Sequence, residues 1–443
     1  MWKNKNGSYG NILWEPCATT CASPTHLSNT VRRRSVDSDD LEHVIRHGLI
    51  GTKFEPVHDN VTGSPAGYVV TPFRRDIDDC DSDRLRESIQ QSDHTGDYDS
   101  SIRGIALRDA ENAGITHNTR LFFSAEPESL VTLEERPDSQ ARSMILKLDH
   151  TSVRDNPAAV LRSIRSARQM GWGIGIRNVG LDLESLSFIP LINPSIVGLH
   201  PDVLRIEDRA YLSKLTWLLQ SHIERTSGVI FARGVRDERD VDLAEQMGVR
   251  LISGPFFGPG TETPEPLEMA AEDYLADHYT RNKQVQGTPY SISQSLGRDP
   301  LITSQDLLLE EIRSLLERAK HAGPSAVVVV VHSSDECLDP TIGDLIRSIA
   351  PEVGVLASVS GESVATTLPN IMTGPLDSSD PLRNEYGVVV VSSDWSAMIT
   401  AHRLARPGAE GRTDFETYFT TDRFACVDGA RAVLSRLASR RNV

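Results

Sequence analysis

No run of apolar residues in this sequence approaches the ~20 residues that a membrane-spanning helix requires. The longest apolar run, at residues 326–331, has the length of a strand. Near the amino terminus, Lys3 and Lys5 are not followed by the apolar segment of an export signal. We therefore expect a cytoplasmic protein that has no membrane partner.

Cysteine is scarce, with five residues in a chain of 443. An odd number spread over such a length does not form a disulfide framework. Cys17, Cys21 and His26 form one close group, but a structural zinc site needs a fourth ligand. We interpret residues 1–36 as a flexible polar arm instead. Cys337 and Cys426 would respond to redox state only if they were adjacent, and the simpler interpretation is that both are inert.

Basic residues are in deficit, because 46 Lys and Arg face 62 Asp and Glu and give a formal net charge of −16. Binding to nucleic acid depends on a basic surface that neutralises phosphates. The one basic cluster, at residues 32–34, lies in the polar arm. The excess of acidic residues therefore argues against nucleic acid as a partner.

A chain of this length accommodates two domains. Residues 37–258 alternate short apolar runs with amphipathic helical patterns, which predicts a barrel-like α/β domain with parallel strands. Residues 259–300 are polar and contain several prolines, which predicts a connection with one short helix at 268–280. Residues 301–443 predict a second, smaller α/β domain. The predicted fold class is therefore α/β, a TIM-type (β/α) barrel followed by a smaller α/β domain.

Individual elements can be placed on the same patterns. Predicted strands of the first domain are 120–124, 144–148, 173–177, 196–199, 229–232 and 250–253. Helices are expected between them at 157–170, 211–225 and 236–247. In the second domain we expect strands at 326–331, 353–359 and 387–391, and helices at 307–322, 395–404 and 427–437.

Four motifs of the first domain occur in a consistent order. Residues 54–57 read Phe-Glu-Pro-Val, and residues 171–180 read Gly-Trp-Gly-Ile-Gly-Ile-Arg-Asn-Val-Gly. Residues 232–236 read Ala-Arg-Gly-Val-Arg, and residues 254–259 read Gly-Pro-Phe-Phe-Gly-Pro. On these motifs the first domain resembles the EAL-domain family, whose members are metal-dependent phosphodiesterases that cut cyclic di-GMP in a modified TIM barrel.

The resemblance also implies where the metal and catalytic residues of that family would fall. The residues at those positions are Val69, Ser124, Lys147, Arg177, Asn178, Gly198, His200, Arg233 and Ser253. Hydrolysis with two metal ions needs anionic oxygen ligands that hold the ions and activate water, and these residues provide no such cage. We therefore predict a pseudo-phosphodiesterase with no catalytic residue, no bound metal and no cofactor.

Three cations lie among these positions. Lys147, Arg177 and Arg233 all stand at carboxyl ends of predicted strands and should converge at the barrel mouth. Together with Asn178 and His200 they predict a site for an anionic small molecule or nucleotide. The alternative is a structural network in which the cations pair with aspartates, and the candidates are Asp149, Asp182, Asp202 and Asp237. The sequence leaves both interpretations open.

Other polar residues near the mouth have simpler interpretations. His150 and His200 could bind zinc as a pair, but no third ligand is evident, so we interpret them as surface or packed residues. Ser124 and Ser253 do not lie in the Gly-x-Ser-x-Gly turn of a nucleophile. We interpret both serines as replacements for lost ligands.

Three segments of the second domain carry a second resemblance. They are residues 385–392, 397–403 and 415–422, and on them the domain resembles the DICT family of small sensory domains. The resemblance implies sensing of a small molecule or a protein, without a catalytic set. Several residues there could line a ligand pocket or belong to the core: Trp395, Arg403, Phe415, Tyr418, Phe419 and Phe424.

Taken together, the sequence predicts a catalytically inactive EAL-like signalling protein that acts by binding a ligand or a partner protein, with a C-terminal sensory domain. One alternative is an enzyme with a repurposed, metal-free site in the barrel. Others are cyclic di-GMP binding without hydrolysis and a barrel that serves only for dimerisation. A homodimer is expected from the family resemblance.

Overall fold

The computed structural model describes residues 43–76, 85, 95–126, 144–267, 287–332, 340–360, 371–405 and 413–437, apart from short gaps at 45–46, 117–118, 170–171, 227 and 266. Three features predicted from the sequence lie outside these residues. They are the arm at 1–36 with its possible zinc ligands, the connecting helix at 268–280, and Cys337.

Eight strands close into a barrel in the order of the sequence. They are β1 (Ile50–Asp59), β2 (Pro65–Arg74), β3 (Leu121–Ser124), β4 (Met144–Asp149), β5 (Gly173–Val179), β6 (Ile196–Leu199), β7 (Val229–Ala232) and β8 (Leu251–Ile252). β1 runs antiparallel to both β2 and β8, and the other neighbours are parallel. The predicted fold class, a modified TIM-type barrel, is confirmed, and the reversed β1 is the modification.

Helices cover the outside of the barrel. They are α1 (Thr95–Asn112), α2 (His150–Asp155), α3 (Pro157–Gln169), α4 (Phe188–Ile192), α5 (Arg209–Thr226) and α6 (Glu238–Gln246). On α3 a buried residue recurs every three positions from Ala158 to Ala167, which makes one apolar face against the strands. α6 begins where the side chain of Asp237 accepts a hydrogen bond from the Asp240 amide.

The barrel interior changes character along its axis. Its centre is one apolar cluster, to which β2, β3, β4, β6, β7 and β8 contribute Val69, Phe122, Ile145, Ile196, Phe231 and Leu251, respectively. Side chains of a strand alternate between faces, so the residue two positions further along points into the barrel again. On β3, β4, β7 and β8 those next positions are Ser124, Lys147, Arg233 and Ser253. The polar mouth therefore lies directly above an apolar core.

The second unit is a mixed sheet of seven strands. They are β9 (Leu301–Ser304), β10 (Val327–His332), β11 (Val355–Ser360), β12 (Ile371–Pro375), β13 (Glu385–Val391), β14 (Ser396–Arg403) and β15 (Asp414–Thr420). Their order in the sheet is β12-β11-β10-β13-β14-β15-β9. The helices of this unit are α7 (Pro289–Gln294), α8 (Gln305–Ala322), α9 (Pro340–Ile349) and α10 (Arg423–Leu434). The smaller α/β region predicted after the barrel is thus present.

One predicted helix of this unit is wrong. Residues 395–404 were expected to be helical, but residues 396–403 form the interior strand β14, which is paired with β13 and β15. The segment is apolar or small at nearly every position and is buried on both faces, so periodicity alone does not separate helix from strand. Pairing on both sides decides the outcome. The last helix also begins four residues earlier than predicted, because Asp422 caps it by accepting from the Ala425 amide.

The barrel and the sheet unit are in direct contact. A single buried hydrophobic cluster contains residues of α4 from the barrel and of α10 and β10 from the sheet unit. Arg431 donates from Nε to the carbonyl oxygen of Leu191 at 2.7 Å. Arg225, at the end of α5, donates to the carbonyl oxygens of Ser393 and Asp394 at 2.7 and 2.8 Å. Two arginines therefore connect the units through backbone carbonyls.

None of the described helices is both long enough and apolar enough to cross a membrane.

Candidate functional site

The barrel mouth is organised by Arg177, which extends from β5 toward two carboxylates. Its Nη2 lies 3.3 Å from Oδ2 of Asp149 and 3.8 Å from Oε1 of Glu126. Asp149 is paired with Arg177 across β4 and β5, and Glu126 follows β3. Both carboxylates are buried, with side chains 9% and 5% exposed. The arginine thus supplies the positive charge for two buried anions.

Asp149 is held in its ionised form. It caps α2 by accepting from the amide and the hydroxyl of Thr151 at 3.1 and 2.8 Å. Burial raises the pKa of this carboxyl, but the Arg177 guanidinium and then the Thr151 donors outweigh burial, so that its pKa lies below the ordinary value. His150 adds to this effect, with Nδ1 3.6 Å from Oδ1 of Asp149.

Asn178 also contacts this aspartate. Its Nδ2 donates to Oδ2 of Asp149 at 2.7 Å. The backbone of Asn178 has a φ of 60°, a left-handed conformation that asparagine tolerates better than most residues. The sharp change of direction at the end of β5 turns the Asn178 amide toward the mouth. Asn178 therefore acts as a neutral donor to a carboxylate.

Arg233 forms a separate group on the β7 side of the mouth. Its Nη2 lies 3.4 Å from Oε2 of Glu55, and the hydroxyl of Ser253 donates to Oε1 of the same carboxylate at 2.7 Å. The Nε of Arg233 is buried and has no hydrogen-bond partner among the described residues. One hydrogen-bond donor of Arg233 is therefore without an acceptor among the described residues.

Lys147 lies deeper than the two arginines. It is only 2% exposed, and its Nζ lies 5.3 Å from the centre of the Phe231 ring. Gly175, on β5, is the pairing partner of Lys147 on β4. A Cβ at Gly175 would lie 3.2 Å from the Lys147 side chain. The glycine therefore makes room for the lysine. The ammonium group sits between the apolar core of the barrel and the charged mouth.

His200 and Ser124 take local positions. The Nδ1 of His200 accepts from the Asp202 amide at 3.1 Å and caps the single turn Pro201–Arg205. Ser124 ends β3 and is partly buried. In the part of the chain that the structure describes, no group of three or more His, Cys, Asp or Glu residues could hold a metal ion, so His150 and His200 do not belong to such a group.

The aspartates predicted as partners divide by role. Asp149 pairs with Arg177, whereas Asp182 accepts from the Ser185 amide at 2.8 Å and Asp237 caps α6. Asp202 lies 3.8 Å from His200. Among the four predicted partners, then, Asp149 is the one with a described contact to a mouth cation.

Two carboxylates of the site, Glu126 and Glu55, were not predicted from the sequence, although the position of each could have indicated it. Glu126 lies two positions after Ser124, so strand alternation directs it to the same side. Glu55 is the charged residue of the first of the four motifs, Phe-Glu-Pro-Val. Both pairings were missed because these carboxylates lie far from Arg177 and Arg233 in the sequence.

The residues of the mouth do not fit a pair of divalent metal ions. Val69 is 1% exposed within the apolar cluster of the barrel. Arginine and lysine side chains stand where anionic ligands would be required, and the carboxylates Glu55 and Asp149 are already in contact with guanidinium groups. A divalent ion would meet cations at short range in a region of low dielectric. No step of a metal-dependent reaction can be assigned to these residues.

The candidate pocket residues of the sheet unit do not form one group. Phe415 packs into the core on one face of the sheet, while Tyr418, an odd number of positions along β15, points to the opposite face and contacts Tyr290 at 5.3 Å between ring centres. Phe419 and Phe424 are exposed. Trp395 has the Arg318 guanidinium 4.5 Å from its ring centre.

Cys426 lies in α10 and is fully buried. Burial raises the pKa of its thiol to about 12, so the thiol stays protonated and unreactive at neutral pH.

Comparison with known proteins gives three kinds of match. A model of the EAL domain matches residues 38–260, half of the chain. The RNase E specificity factor CsrD of Escherichia coli (strain K12) is 28% identical over 146 residues, which is 32% of this chain and 22% of the length of that relative. Because this chain spans only 22% of the length of that relative, the properties of the whole relative do not transfer to it.

Solved structures with a similar fold include the EAL enzyme Bd1971 in its cAMP-bound form, at 12% identity and a TM-score of 0.44, covering 50% of this chain and 66% of that one. An EAL domain protein from Listeria monocytogenes EGD-e matches at 13% identity and a TM-score of 0.43, covering 52% and 96%. BlrP1 of Klebsiella pneumoniae, in a calcium and cyclic di-GMP complex, matches at 12% and 0.42, covering 49% and 58%. Because the family model spans half of the sequence and coincides with the closed barrel, this chain belongs to the EAL domain family.

Proposed function

We propose that this chain is a member of the EAL family that does not hydrolyse cyclic dinucleotides and acts by binding, as a signalling or regulatory protein. The observation that carries the proposal is the contact of Arg177 with Asp149 and Glu126. A fixed cation occupies the place where the family resemblance implies a metal ligand. The Asp149 and Glu126 carboxylates thereby already have a counterion that belongs to the protein.

The neighbouring positions support the same proposal. Lys147 adds a second buried positive charge below the mouth, and Val69 contributes only apolar surface. Activation of water by divalent metal needs several anionic oxygen ligands around each ion. The chain would have to recover most of that set before a metal-dependent reaction became possible.

Titration of Mn²⁺ into the full chain, followed by calorimetry, tests this proposal. We expect no saturable binding that depends on the mouth, so wild type and the double variant Glu126→Gln plus Asp149→Asn should give the same heats. Binding of manganese to wild type that is lost in the double variant would contradict the proposal, because it would place the metal at the carboxylates.

A second candidate function is the binding of an anionic ligand, such as a nucleotide or cyclic di-GMP, without hydrolysis. Arg233 favours it, because its side chain is 32% exposed and its Nε has no hydrogen-bond partner within the described residues. The ligand would approach over Arg233, with His200 after the neighbouring strand β6, Arg177 and Asn178 on β5, and Lys147 beneath. Glu55 would have to yield its contact with Arg233 for the ligand to bind fully.

The alternative of a repurposed enzyme has one observation in its favour, the 2.7 Å hydrogen bond from Ser253 to Glu55. A carboxylate is a weak base for a serine hydroxyl, and this one is also paired with Arg233. Ser253 is moreover 0% exposed, so a substrate could not reach its oxygen. The hydrogen bond is therefore better explained as support for the Arg233–Glu55 pair.

For the rest of the chain we propose a division into a barrel unit at 37–258, a connection at 259–300 and a DICT-type sensory unit at 301–443. The separate hydrophobic core on one face of the seven-stranded sheet supports this division. We also propose that the protein is cytoplasmic and has a protein partner. The family resemblance further implies a homodimer.

A further inference from the structure

Strand β9 forms one edge of the seven-stranded sheet. It pairs with β15 on one side, and no described strand lies on its other side. The strand reads Leu-Ile-Thr-Ser, so it contains neither a charge nor a proline, the residues that usually protect an edge from pairing with another chain. Leu301 and Ile302 are 63% and 62% exposed. Because consecutive residues of a strand point to opposite faces, both faces of the edge are open at this point.

The backbone of β9 directs hydrogen-bonding groups outward at alternate residues. Gln305 continues the register of β9 and β15, and its amide donates to the carbonyl oxygen of Thr413 at 3.1 Å. The amide and carbonyl of the preceding residue, Ser304, therefore point away from β15. The two-residue period of a strand gives Ile302 the same direction. These two residues present donors and acceptors that a further antiparallel strand can use.

The residues that flank β9 are complementary when the strand meets a second copy of itself in antiparallel orientation. With Ile302 opposite its own counterpart, Arg298 lies opposite Asp306 of the second copy. In the same register the outward amide of Ser304 meets the carbonyl of Pro300, so the pairing needs no amide from the proline. Every contact occurs twice, because such a pairing has two-fold symmetry.

Two neighbouring features fit the same register. Asp299 comes opposite Gln305, the first residue of α8, and the side chain of Ser304 makes no capping hydrogen bond to that helix. A carboxylate near a helix amino terminus is stabilising. Phe419 is 54% exposed and lies on the same face as Leu301, since it is two positions along β15 from the pairing partner of that leucine. A second copy would therefore meet an apolar surface beside the edge as well as the edge itself.

We propose that β9 pairs in antiparallel orientation with β9 of a second copy of this chain, joining the two sheets across a two-fold axis. The inference deepens the proposed function and rests on the homodimer that it includes. It assigns that homodimer to the sheet unit, outside residues 38–260 that match the EAL domain model.

The test is the molar mass of the full-length chain, measured by light scattering after gel filtration over a range of concentrations. Wild type should be a dimer that dissociates on dilution. Ile302→Lys places two lysines opposite each other at the axis, so the dimer should be lost at concentrations where wild type keeps it, with an unchanged circular dichroism spectrum. Val61→Lys, which replaces a 72% exposed apolar residue of the barrel unit, should remain a dimer.

Two charge variants test the register. Arg298→Asp and Asp306→Arg should each weaken the dimer, because each creates a contact between like charges. When the two variants are mixed they should form a heterodimer, since both contacts then join opposite charges.

A wild type that stays monomeric would overturn the inference, and the edge would then be left to a different strand. Failure of the two charge variants to form a heterodimer would overturn it as well. A dimer that Ile302→Lys does not weaken would also overturn it, but the homodimer of the proposed function would stand, formed through another surface.

Discussion

The guanidinium of Arg177 lies 3.3 Å from the carboxylate of Asp149, across paired positions of two neighbouring barrel strands. Strand register brings them together, although all of α2 and α3 lies between them in the sequence. Because the pair is largely buried, it fixes the charge of the barrel mouth as well as its shape. The mouth carries its own cation, which favours the ionised form of Asp149.

Substitution of Asp149 should be strongly destabilising. Asp149→Ala leaves Arg177 without its nearest carboxylate and removes the cap of α2, so we expect a loss of about 3 kcal/mol, at the lower end of the range for breaking buried ion pairs. Asp344→Ala, which removes an exposed partner of Arg347, should change stability by about 0–1 kcal/mol. Urea unfolding of both variants measures the difference. Equal effects would show that the buried pair is no more important than a surface pair.

Arg233 should govern any binding of anions at the mouth. Calorimetry with cyclic di-GMP, GTP and inorganic phosphate should give binding that survives EDTA and weakens with salt. Loss of one charge-assisted hydrogen bond is worth about 1.5–3 kcal/mol, so Arg233→Ala should weaken the affinity at least about tenfold. Arg236→Ala, a nearby change outside the predicted site, serves as the control. Binding that is unchanged in Arg233→Ala, or that requires divalent metal, would rule out this site.

The contact between the barrel and the sheet unit should depend on Arg431. Its Nε donates to the Leu191 carbonyl across the boundary, and its Nη1 lies 3.3 Å from Asp428. Arg431→Ala should lower the free energy of unfolding by about 1.5–3 kcal/mol, as expected for a hydrogen bond from a charged group. The exposed Arg347→Ala provides the control, with an expected change near zero. A loss no larger than that of the control would mean that the units are held by their apolar contacts alone.

Glu385 should make stability depend on pH. Burial raises the pKa of this carboxyl to about 6 from the ordinary 4.5, and its Oε2 accepts from the Tyr290 amide at 3.2 Å. Since the folded state holds the proton more tightly, the contribution of Glu385 is fully present below pH 4.5 and is lost as the pH rises through 6. The change amounts to about 2 kcal/mol.

Glu385→Gln should therefore be more stable than wild type at pH 7 and nearly equal to it at pH 4.5, as measured by urea unfolding at both values. The exposed Glu352→Gln should show the same difference from wild type at either pH. If Glu385→Gln differs from wild type by a constant amount, Glu385 does not carry this pH dependence.

Much of the fold could be predicted from the sequence because the barrel strands are short apolar runs separated by amphipathic helices. Residues 196–199 and 229–232 were placed at the bounds of β6 and β7. Strand β14 could not be recognised, because a segment buried on both faces has no polar side to reveal its period. Only its pairing with two neighbours identifies it as a strand.

The candidate site was predicted in part. Strand ends placed Lys147, Arg177 and Arg233 at one mouth, and Asp149 was among the proposed partners. The contacts of Arg233 with Glu55 and of Arg177 with Glu126 join residues that lie far apart in the sequence. They depend on how the barrel closes, with β1 reversed between β2 and β8. Sequence patterns give the direction of a side chain but not its distance from another strand.

The most direct test of the central claim is turnover of cyclic di-GMP by the purified full-length chain in millimolar Mg²⁺ or Mn²⁺. We predict no linear dinucleotide or mononucleotide above the level formed by an identically purified preparation without the protein. Arg177→Asp should also be inactive, because one restored carboxylate cannot hold two ions. Metal-dependent product formation by wild type, proportional to protein concentration and abolished by EDTA, would contradict the account.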